Sequence, residues 1–399
     1  MDLYLQMGHG MQEMCIELIK MWGKGTVILS PVNIPPTKII TYAKKIKLEG
    51  GSVLFDPQMF YPKEGHSKLK LYDYWPGENV SISENECSKS INREIFKINE
   101  QIQSSRIILP SIEMNDTKIG YGIKCLSDSA NYFKEKTDKD LLATLCLYPE
   151  TIRNISIIEQ LVEQLKKLPV QGYYIVAHPA NNEYIVSDPL WMMGMLKLLT
   201  CLKLAQKLVI VGYSNHQGLI YSLAHVDAIA SGNYMNTRSF VPSKFKSPQD
   251  DDIKHKSTWY YHPTAMSEYK AALLDIAKQR NFLDSFKPQG DFENIYSEML
   301  FKGATPSSTN YKEPNSFKHY LHCLNVQCMV LSKKSYEETF DMYNFLLNNA
   351  ENLIKEYKKR GVSGQNRDFY PAIEVNRVAM CTIDEDYGLK LRFDWNDNE

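Results

Sequence analysis

Two short stretches, TVILSPVN (residues 26–33) and SVLFDPQM (residues 52–59), show the pattern that decides the fold. Each begins with a four-residue, largely apolar run and continues with a proline and polar side chains. A short apolar run that stops at turn residues is typical of a buried strand in a parallel sheet. A helical pattern over Thr37–Leu48 separates the two runs, so the stretch predicts strand, helix and strand in succession.

The same rhythm recurs through the first 240 residues or so. The predicted strands are Leu3–Met7, Thr26–Leu29, Ser52–Phe55, Arg106–Leu109, Leu141–Leu147, Gly172–Ala177, Lys207–Val211 and Val226–Ala230. Eight strands that alternate with helices over this length predict an α/β fold, a (β/α)8 TIM barrel with a helical C-terminal extension. A doubly wound open sheet is the alternative.

The chain divides into two predicted parts. Residues 1–245 form the TIM-barrel domain, with an insertion at 61–103 whose aromatic cluster, Tyr72–Pro76, either lids the barrel mouth or covers its rim. Residues 246–399 form a mostly helical C-terminal region that follows a linker at Ser247–Asp252. Its helices are predicted at Ala265–Phe282, Ser316–Leu331 and Ser335–Arg360, and Pro371–Trp395 is predicted to form a strand pair.

Composition excludes several classes of protein. The 399 residues are 43% hydrophobic and 23% charged, which excludes a disordered or fibrous chain. The 46 basic and 47 acidic residues nearly balance, which excludes a nucleic-acid partner that is bound mainly through overall positive charge. A local basic groove is still compatible with this balance. Eight cysteines without a CxxC pair indicate reduced thiols, and the apolar stretch Leu190–Val211 is broken by lysines. We expect a cytoplasmic protein with no membrane partner.

Polar residues follow the predicted strands, where barrel enzymes place their active sites. Asp56 is a candidate catalytic residue, since a carboxylate there can bind a ring N–H, act as a base or cap a helix. Glu113 is a second catalytic candidate, which with Glu150 would suit acid–base chemistry or a divalent cation unless both are solvated loop charges. Gln58 has the donor and acceptor that complement a nucleobase edge. The predicted substrate-binding set is His9, Gln58, Glu150, His178, Asn181, Tyr213 and Asn233.

Metal and cofactor sites are not predicted. His9, His178 and His216 follow different strands, but no His-x-His pair accompanies them. Near the C-terminus, His319, His322, Cys323 and Cys328 either bind zinc or are ordinary helix residues, and the absence of a CxxC hook favours the second reading. No phosphate-binding loop, GxGxxG or GxSxG motif occurs.

The order of these elements resembles the tRNA-guanine transglycosylase barrel and its relatives that insert 7-deazaguanines into DNA. Residues 53–60 (VLFDPQMF) are similar to the family's strand that ends in a base-recognising aspartate. The segment from Leu208 through Asp227 to Thr237-Arg238 is similar to its last two strands, and Tyr320–Leu324 to its Tyr-Leu-x-His-Leu helix. The resemblance covers most of residues 1–330 and implies a barrel with a base-sized pocket.

The sequence departs from this family at its catalytic centre. Alignment on Asp227 and Thr237 places the family's nucleophilic aspartate at Ala230, beside Ser231, which becomes the third catalytic candidate. The family's zinc-binding cysteines are missing from Thr305–Lys318, and Cys323 occupies its histidine position.

Three functions follow from these observations. The first is a divergent transglycosylase-like enzyme that acts on or binds a nucleobase or nucleoside in DNA or RNA, in nucleic-acid modification or anti-phage defence. The second is a non-catalytic nucleic-acid or nucleotide-binding subunit whose C-terminal helices dock a protein partner. In that reading the basic stretch Lys355–Arg360 either touches phosphates or is a solvated helix end. The third is a barrel hydrolase or lyase of a small metabolite that uses His178 and Glu150.

Overall fold

A computed structural model describes residues 1–76, 85–246 and 257–396. Nine strands build its main sheet: β1 (Asp2–Gln6), β2 (Thr26–Leu29), β3 (Ser52–Phe55), β4 (Ile107–Leu109), β5 (Glu113–Met114), β6 (Leu141–Leu147), β7 (Gly172–Ala177), β8 (Leu208–Val211) and β9 (Ala228–Ser231). All eight predicted strands are confirmed, with β5 as an additional short one. The predicted linker lies outside the described residues.

Helices connect these strands and cover the outside of the sheet. They are α1 (Gln12–Trp22), α2 (Pro36–Leu48), α3 (Asn85–Ile102), α4 (Ile119–Lys134), α5 (Pro149–Arg153), α6 (Ile155–Leu165), α7 (Pro189–Leu204) and α8 (Met235–Arg238). A 3-10 helical segment, His216–Ala224, replaces a regular helix between β8 and β9. None of the described helices is both long enough and apolar enough to cross a bilayer.

The main sheet is parallel and curled, with strand order β3-β2-β1-β9-β8-β7-β6-β4. β4 and β5 pair with successive parts of β6. Side chains from eight strands meet in one apolar cluster inside the curl, including Tyr4, Ile28, Leu54, Ile108, Leu142, Tyr174, Ile210 and Ala228. The architecture is therefore α/β and barrel-like.

The predicted closed barrel is wrong in one respect. In the described part of the chain no strand ladder joins the two edge strands, β3 and β4. Across this seam the amide of Ser105 donates to the carbonyl of Val53 at 3.1 Å. Ser105 precedes β4, so this bond joins the two edges just outside the strands themselves.

Within residues 257–396 the C-terminal region contains a hairpin, four α-helices and several short 3-10 helical segments. Strands β10 (Trp259–His262) and β11 (Ser267–Lys270) are antiparallel, and α9 (Ala271–Gln279), α10 (Glu313–Val330), α11 (Tyr336–Lys359) and α12 (Tyr370–Asn396) follow. α12 packs on α7 and α11, while α10 packs on β1 and α1. One continuous apolar cluster runs through this region and the outside of the main sheet.

The strand pair predicted for Pro371–Trp395 is wrong, because these residues lie in α12. The buried positions Ala372, Ile373, Asn376, Ala379, Met380 and Ile383 recur at intervals of three and four. That spacing puts them on one helical face, which α7 and α11 cover. The alternation of apolar and polar residues that favours a strand in this stretch is weaker than this helical spacing.

The predicted insertion packs along the rim of the sheet. The rings of Tyr72 and Tyr74 lie 6.1 and 5.9 Å from Phe55, on the outer side of β3. The Tyr74 hydroxyl donates to the carbonyl of Pro57 at 2.9 Å. In this conformation the aromatic cluster supports the turn after β3 and leaves the mouth to other side chains.

A buried ion network joins the C-terminal region to the end of β9. Glu268 of β11 accepts hydrogen bonds from Arg238 (3.3 Å), Arg367 (2.7 Å) and the Tyr184 hydroxyl (2.8 Å). The Arg238 guanidinium lies 3.5 Å from the ring centre of Tyr320 and also donates to the carbonyl of Gly232. Burial would raise the pKa of Glu268, but the two arginines hold this pKa below its usual value.

Removal of the Glu268 charge is expected to destabilise the protein strongly. Glu268→Gln leaves two arginines without their counterion, one of them fully buried, and should cost about 3–5 kcal/mol of unfolding free energy. The matched control is Glu337→Gln, because Glu337 is half exposed and pairs with Arg392 on the surface. It should cost less than about 1 kcal/mol. Urea denaturation measures both, and equal losses would contradict the assigned role.

Candidate functional site

The strand ends bring a set of polar side chains to one opening. Alternate residues of a strand face the same side, so residues two positions beyond an interior residue also face inward. By this rule Gln6, Ser30 and Asp56 continue the interior rows of Tyr4, Ile28 and Leu54, and all three are buried. Cys146 belongs to the interior cluster, and Glu113 on β5 is paired with it across the sheet. His178 lies two residues beyond Val176, which also faces the interior. We call this opening the mouth.

Asp56 is the most deeply buried carboxyl group of the mouth. One oxygen, Oδ1, accepts the amide N–H of Gln58 at 2.9 Å, and Oδ2 lies 3.2 Å from the hydroxyls of both Tyr174 and Tyr213. Burial raises the pKa of Asp56 to about 7, against the lowering effect of these hydrogen bonds. A substantial fraction of Asp56 is therefore protonated at neutral pH.

Gln58 belongs to the wall of the mouth. Its backbone is left-handed, with φ of 53°, because the chain turns sharply after Pro57. Its Nε2 donates to Ser30 and Tyr213 at 2.8 and 2.9 Å, and its Oε1 accepts from Ser30 and the Val32 amide. The side-chain amide is thus fully engaged within the protein and holds Tyr213 against Asp56.

Glu113, His178 and Tyr61 form a second polar cluster nearer the surface. Glu113 Oε1 lies 3.2 Å from His178 Nε2 and accepts a hydrogen bond from the Tyr61 hydroxyl. The Sγ atom of Cys146 lies 3.8 Å from the same His178 nitrogen. The side chains of Glu113 and His178 are 10% and 7% exposed, so they are reachable from the mouth yet largely desolvated.

The charges of this second cluster follow from its contacts. Burial would raise the pKa of Glu113, but hydrogen bonds from His178 and Tyr61 outweigh it and hold this pKa below its usual value. Burial, together with Cys146 and Glu113, raises the pKa of the Tyr61 phenol. Glu113 is therefore an anion and Tyr61 a neutral donor at neutral pH. An anionic carboxylate beside an imidazole is an arrangement suited to proton transfer.

Aromatic rings cover the mouth. Phe240 and Phe245 are stacked, with centroids 5.1 Å apart, and both contact Phe60 and Tyr213 edge to face. The His178 ring stacks on Tyr148 at 4.9 Å and lies 4.8 Å from Phe240. A cavity of about 40 Å³ lies beside Tyr213 and Phe240, but Glu113, His178 and Asp56 do not line it. A ring that stacked between Phe240 and Phe245 in the mouth would have to separate these two side chains.

The structure gathers part of the predicted site. Asp56, Gln58, Glu113, His178 and Tyr213 lie together in the mouth, as described above. The other five predicted residues lie elsewhere. His9 and Asn233 contact each other at the ends of β1 and β9. Glu150 and Asn181 lie on the exposed rim, and Ser231 lies on the outer side of β9.

Two of these placements limit the predicted roles. Ala228 and Ala230 of β9 face the interior, so Ser231 faces outward, where it lies beside Tyr320. Glu150 has a side chain that is 65% exposed, and it lies 3.8 Å from Arg153, which also binds Asn181 and Asp188. The partner of Glu113 in the structure is His178 instead of Glu150.

The histidines and cysteines of α10 are packed into the helical region. His319 is fully buried, stacks on Tyr260 at 4.8 Å and has its Nε2 2.8 Å from the carbonyl of Tyr261. Burial lowers its pKa to about 3. Within residues 1–76, 85–246 and 257–396, no group of three or more His, Cys, Asp or Glu side chains is arranged to hold a metal ion. His216 is likewise enclosed, between Tyr261, Tyr320 and Phe369.

Sequence reasoning missed Gln6, Tyr61, Cys146 and Tyr174. Three of them were detectable, because Gln6, Cys146 and Tyr174 occupy inward positions of their strands with the same alternation as Asp56. Tyr61 had no such signal, since it lies in the irregular segment after β3 and reaches Glu113 only through the folded chain.

No protein-family model and no curated protein matches this chain.

The pKa of Asp56 predicts how stability depends on pH. The folded state holds the proton more tightly than the unfolded chain, whose aspartate pKa is about 3.9, so the stability contribution is complete below that value. As the pH rises through about 7, this contribution to the free energy of unfolding is lost, and the loss is at most about 4 kcal/mol. Asp56→Asn, which keeps the neutral shape, should remove this decline between roughly pH 4 and pH 7.

Denaturant unfolding of the wild type and Asp56→Asn across this pH range measures the difference. The control is Asp116→Asn, because Asp116 accepts its hydrogen bond from Thr151 and lies outside the mouth. Parallel pH profiles for wild type and Asp56→Asn would show that Asp56 is ionised in the folded protein.

Proposed function

We propose that this protein binds a nucleobase or nucleoside in the mouth and acts on it by acid–base chemistry, as a divergent transglycosylase-like enzyme of nucleic-acid modification. The observation that carries the proposal is the Glu113–His178–Tyr61 cluster, which lies at the strand ends under a cover of aromatic rings. Acid–base groups and flat apolar surfaces are the two features that chemistry on a heterocyclic ring requires.

The aromatic residues support a ring-shaped ligand. Four aromatic rings are in contact one after the other. His178 stacks on Tyr148 and lies tilted against Phe240, and Phe240 stacks on Phe245. Stacking on such faces is tolerant of base identity, and it contributes about 1–3 kcal/mol per base. A bound ring would replace the contacts that Phe240 and Phe245 now make with one another.

The acid–base pair supports cleavage of an N-glycosidic bond by water. In the proposed step the bond between a ring nitrogen and a sugar carbon breaks, and a water oxygen forms a bond to that carbon. Glu113 takes a proton from the water, and His178 gives a proton from Nε2 to the leaving ring nitrogen. Water is the proposed nucleophile because Ala230 and the outward-facing Ser231 offer no inward carboxylate at the end of β9.

Two lysines near the mouth support a phosphate-bearing substrate. The Lys246 ammonium lies 4.6 Å from the ring centre of Tyr61, and the charge of Lys118 acts on Glu113. Phosphates flanking a modified nucleotide would be held by such side chains, whereas a free base would not need them. This favours a nucleotide within DNA or RNA over a free nucleobase.

Removal of either acid–base group should slow turnover strongly while binding is kept. Glu113→Gln and His178→Gln are expected to lower the rate of base release by about 10²–10⁴-fold. The matched control is Glu150→Gln, which makes the same change on the exposed rim and should leave the rate unchanged. Base release from single- and double-stranded DNA and RNA, measured by chromatography, is the assay. Equal activity of Glu113→Gln and Glu150→Gln would contradict the proposed chemistry.

The aromatic cover of the mouth favours a second candidate, a non-catalytic binding subunit. Phe240 and Phe245 stack on each other, so a ring that bound between them would require this cover to move. A subunit that only recognises a nucleotide needs that movement but no proton transfer. In this case calorimetry would show nucleotide binding by wild type and by Glu113→Gln alike, with no base release from either.

A further inference from the structure

The interior of the mouth contains a chain of four buried polar side chains: Gln6, Tyr174, Asp56 and Tyr213. We infer that Gln6 and Tyr174 fix a proton on Asp56, because Tyr174 donates its only hydroxyl proton to Gln6 and therefore accepts a hydrogen bond from Asp56. Gln6 and Tyr174 are positioning residues in this arrangement, since they act on a ligand only through Asp56.

The count of protons on Tyr174 leads to this assignment. A phenol has one proton to donate, and the Tyr174 hydroxyl has two oxygen neighbours that could accept it. Gln6 Oε1 lies at 2.9 Å, whereas Asp56 Oδ2 lies at 3.2 Å. With the proton directed to the nearer oxygen, the contact between Tyr174 and Asp56 is favourable only when Asp56 supplies a proton of its own.

The second tyrosine is already fully assigned. The Tyr213 hydroxyl accepts from Gln58 Nε2 at 2.9 Å, so its own proton points to Asp56 Oδ2 at 3.2 Å. A protonated Oδ2 can accept that bond while it donates to Tyr174. The order of donation is then Tyr213 to Asp56, Asp56 to Tyr174, and Tyr174 to Gln6.

The surroundings of Asp56 contain no compensating cation. The donors to its carboxyl oxygens in this arrangement are the Gln58 amide and the Tyr213 hydroxyl, and neither carries a positive charge. A negative charge on Asp56 would raise the pKa of four titratable neighbours: Tyr74, Cys146, Tyr174 and Tyr213. The pKa of each lies above its usual value, so all four are neutral. An ionised, fully buried carboxylate would thus have no partner of opposite charge among the described residues that set its pKa.

The consequence for the mouth is that Asp56 is a neutral acid at rest. Tyr213 directs its own proton to Asp56 in this arrangement, so a ligand would receive the Asp56 proton only by direct contact with the Asp56 carboxyl group. Use of this proton on a ligand rests on the proposed function. The protonation of Asp56 does not depend on the proposed function, so it is measured without any ligand. A failure of either claim would therefore not affect the other.

The test follows the carboxyl of Asp56 by nuclear magnetic resonance. The full chain is labelled with carbon-13 at the aspartate carboxyl groups, titrated from roughly pH 4 to pH 9, and the Asp56 signal is assigned by its loss in Asp56→Asn. Gln6→Met removes the competing acceptor, so the Tyr174 proton becomes free for Asp56. The Asp56 midpoint should then fall by about one pH unit, the equivalent of one hydrogen bond to a charged group.

Tyr213→Phe is the matched control, because it removes an unambiguous donor from the same carboxyl oxygen and should raise the midpoint. An unchanged or raised midpoint in Gln6→Met would overturn the inference, since it would mean that Tyr174 already donates to Asp56. The wild-type chain alone gives a second check that needs no buried substitution. A wild-type midpoint near the ordinary aspartate value of about 4 would also overturn it.

Discussion

The alternation of side chains in a curled parallel sheet is the constraint on which the site depends. Each strand sends every second residue into one shared interior, so the last inward residues of several strands must meet at the carboxyl end. Asp56, Glu113, Cys146 and His178 are brought together in this way, although up to 122 residues separate them in sequence. Apolar residues fill the interior below them, so the polar groups are desolvated from one side and their proton affinities change accordingly.

The C-terminal hairpin contacts the segment that follows β9 at this end of the sheet. Arg238 is held by Glu268 of the hairpin, and two residues later Phe240 covers the mouth and contacts His178. The same stretch continues to Phe245, which stacks on Phe240. Arg238 therefore ties the segment that covers the mouth to the C-terminal hairpin.

Much of this architecture could be predicted from the sequence, because short apolar runs followed by turn residues are a strong local signal. Strands β2, β3, β6 and β7 were predicted with their observed limits, and the polar residues after them included Asp56 and His178. The Arg238–Glu268–Arg367 network could not be predicted, since it depends on packing between distant segments. The open seam between β3 and β4 could not be predicted either, because no residue pattern in the sequence marks which strand edges stay unpaired. The resemblance to transglycosylases stays a prediction.

The central claim is that the mouth binds a ring of nucleobase type, and a direct test is to identify what the protein carries. The protein would be purified under native conditions, and the small molecules, nucleic acid and proteins released from it would be identified by mass spectrometry. The account predicts a nucleobase, nucleoside or nucleic-acid fragment that competes with added nucleosides for the mouth. Recovery of only a protein partner, with no nucleoside bound even when nucleosides are added in excess, would contradict it.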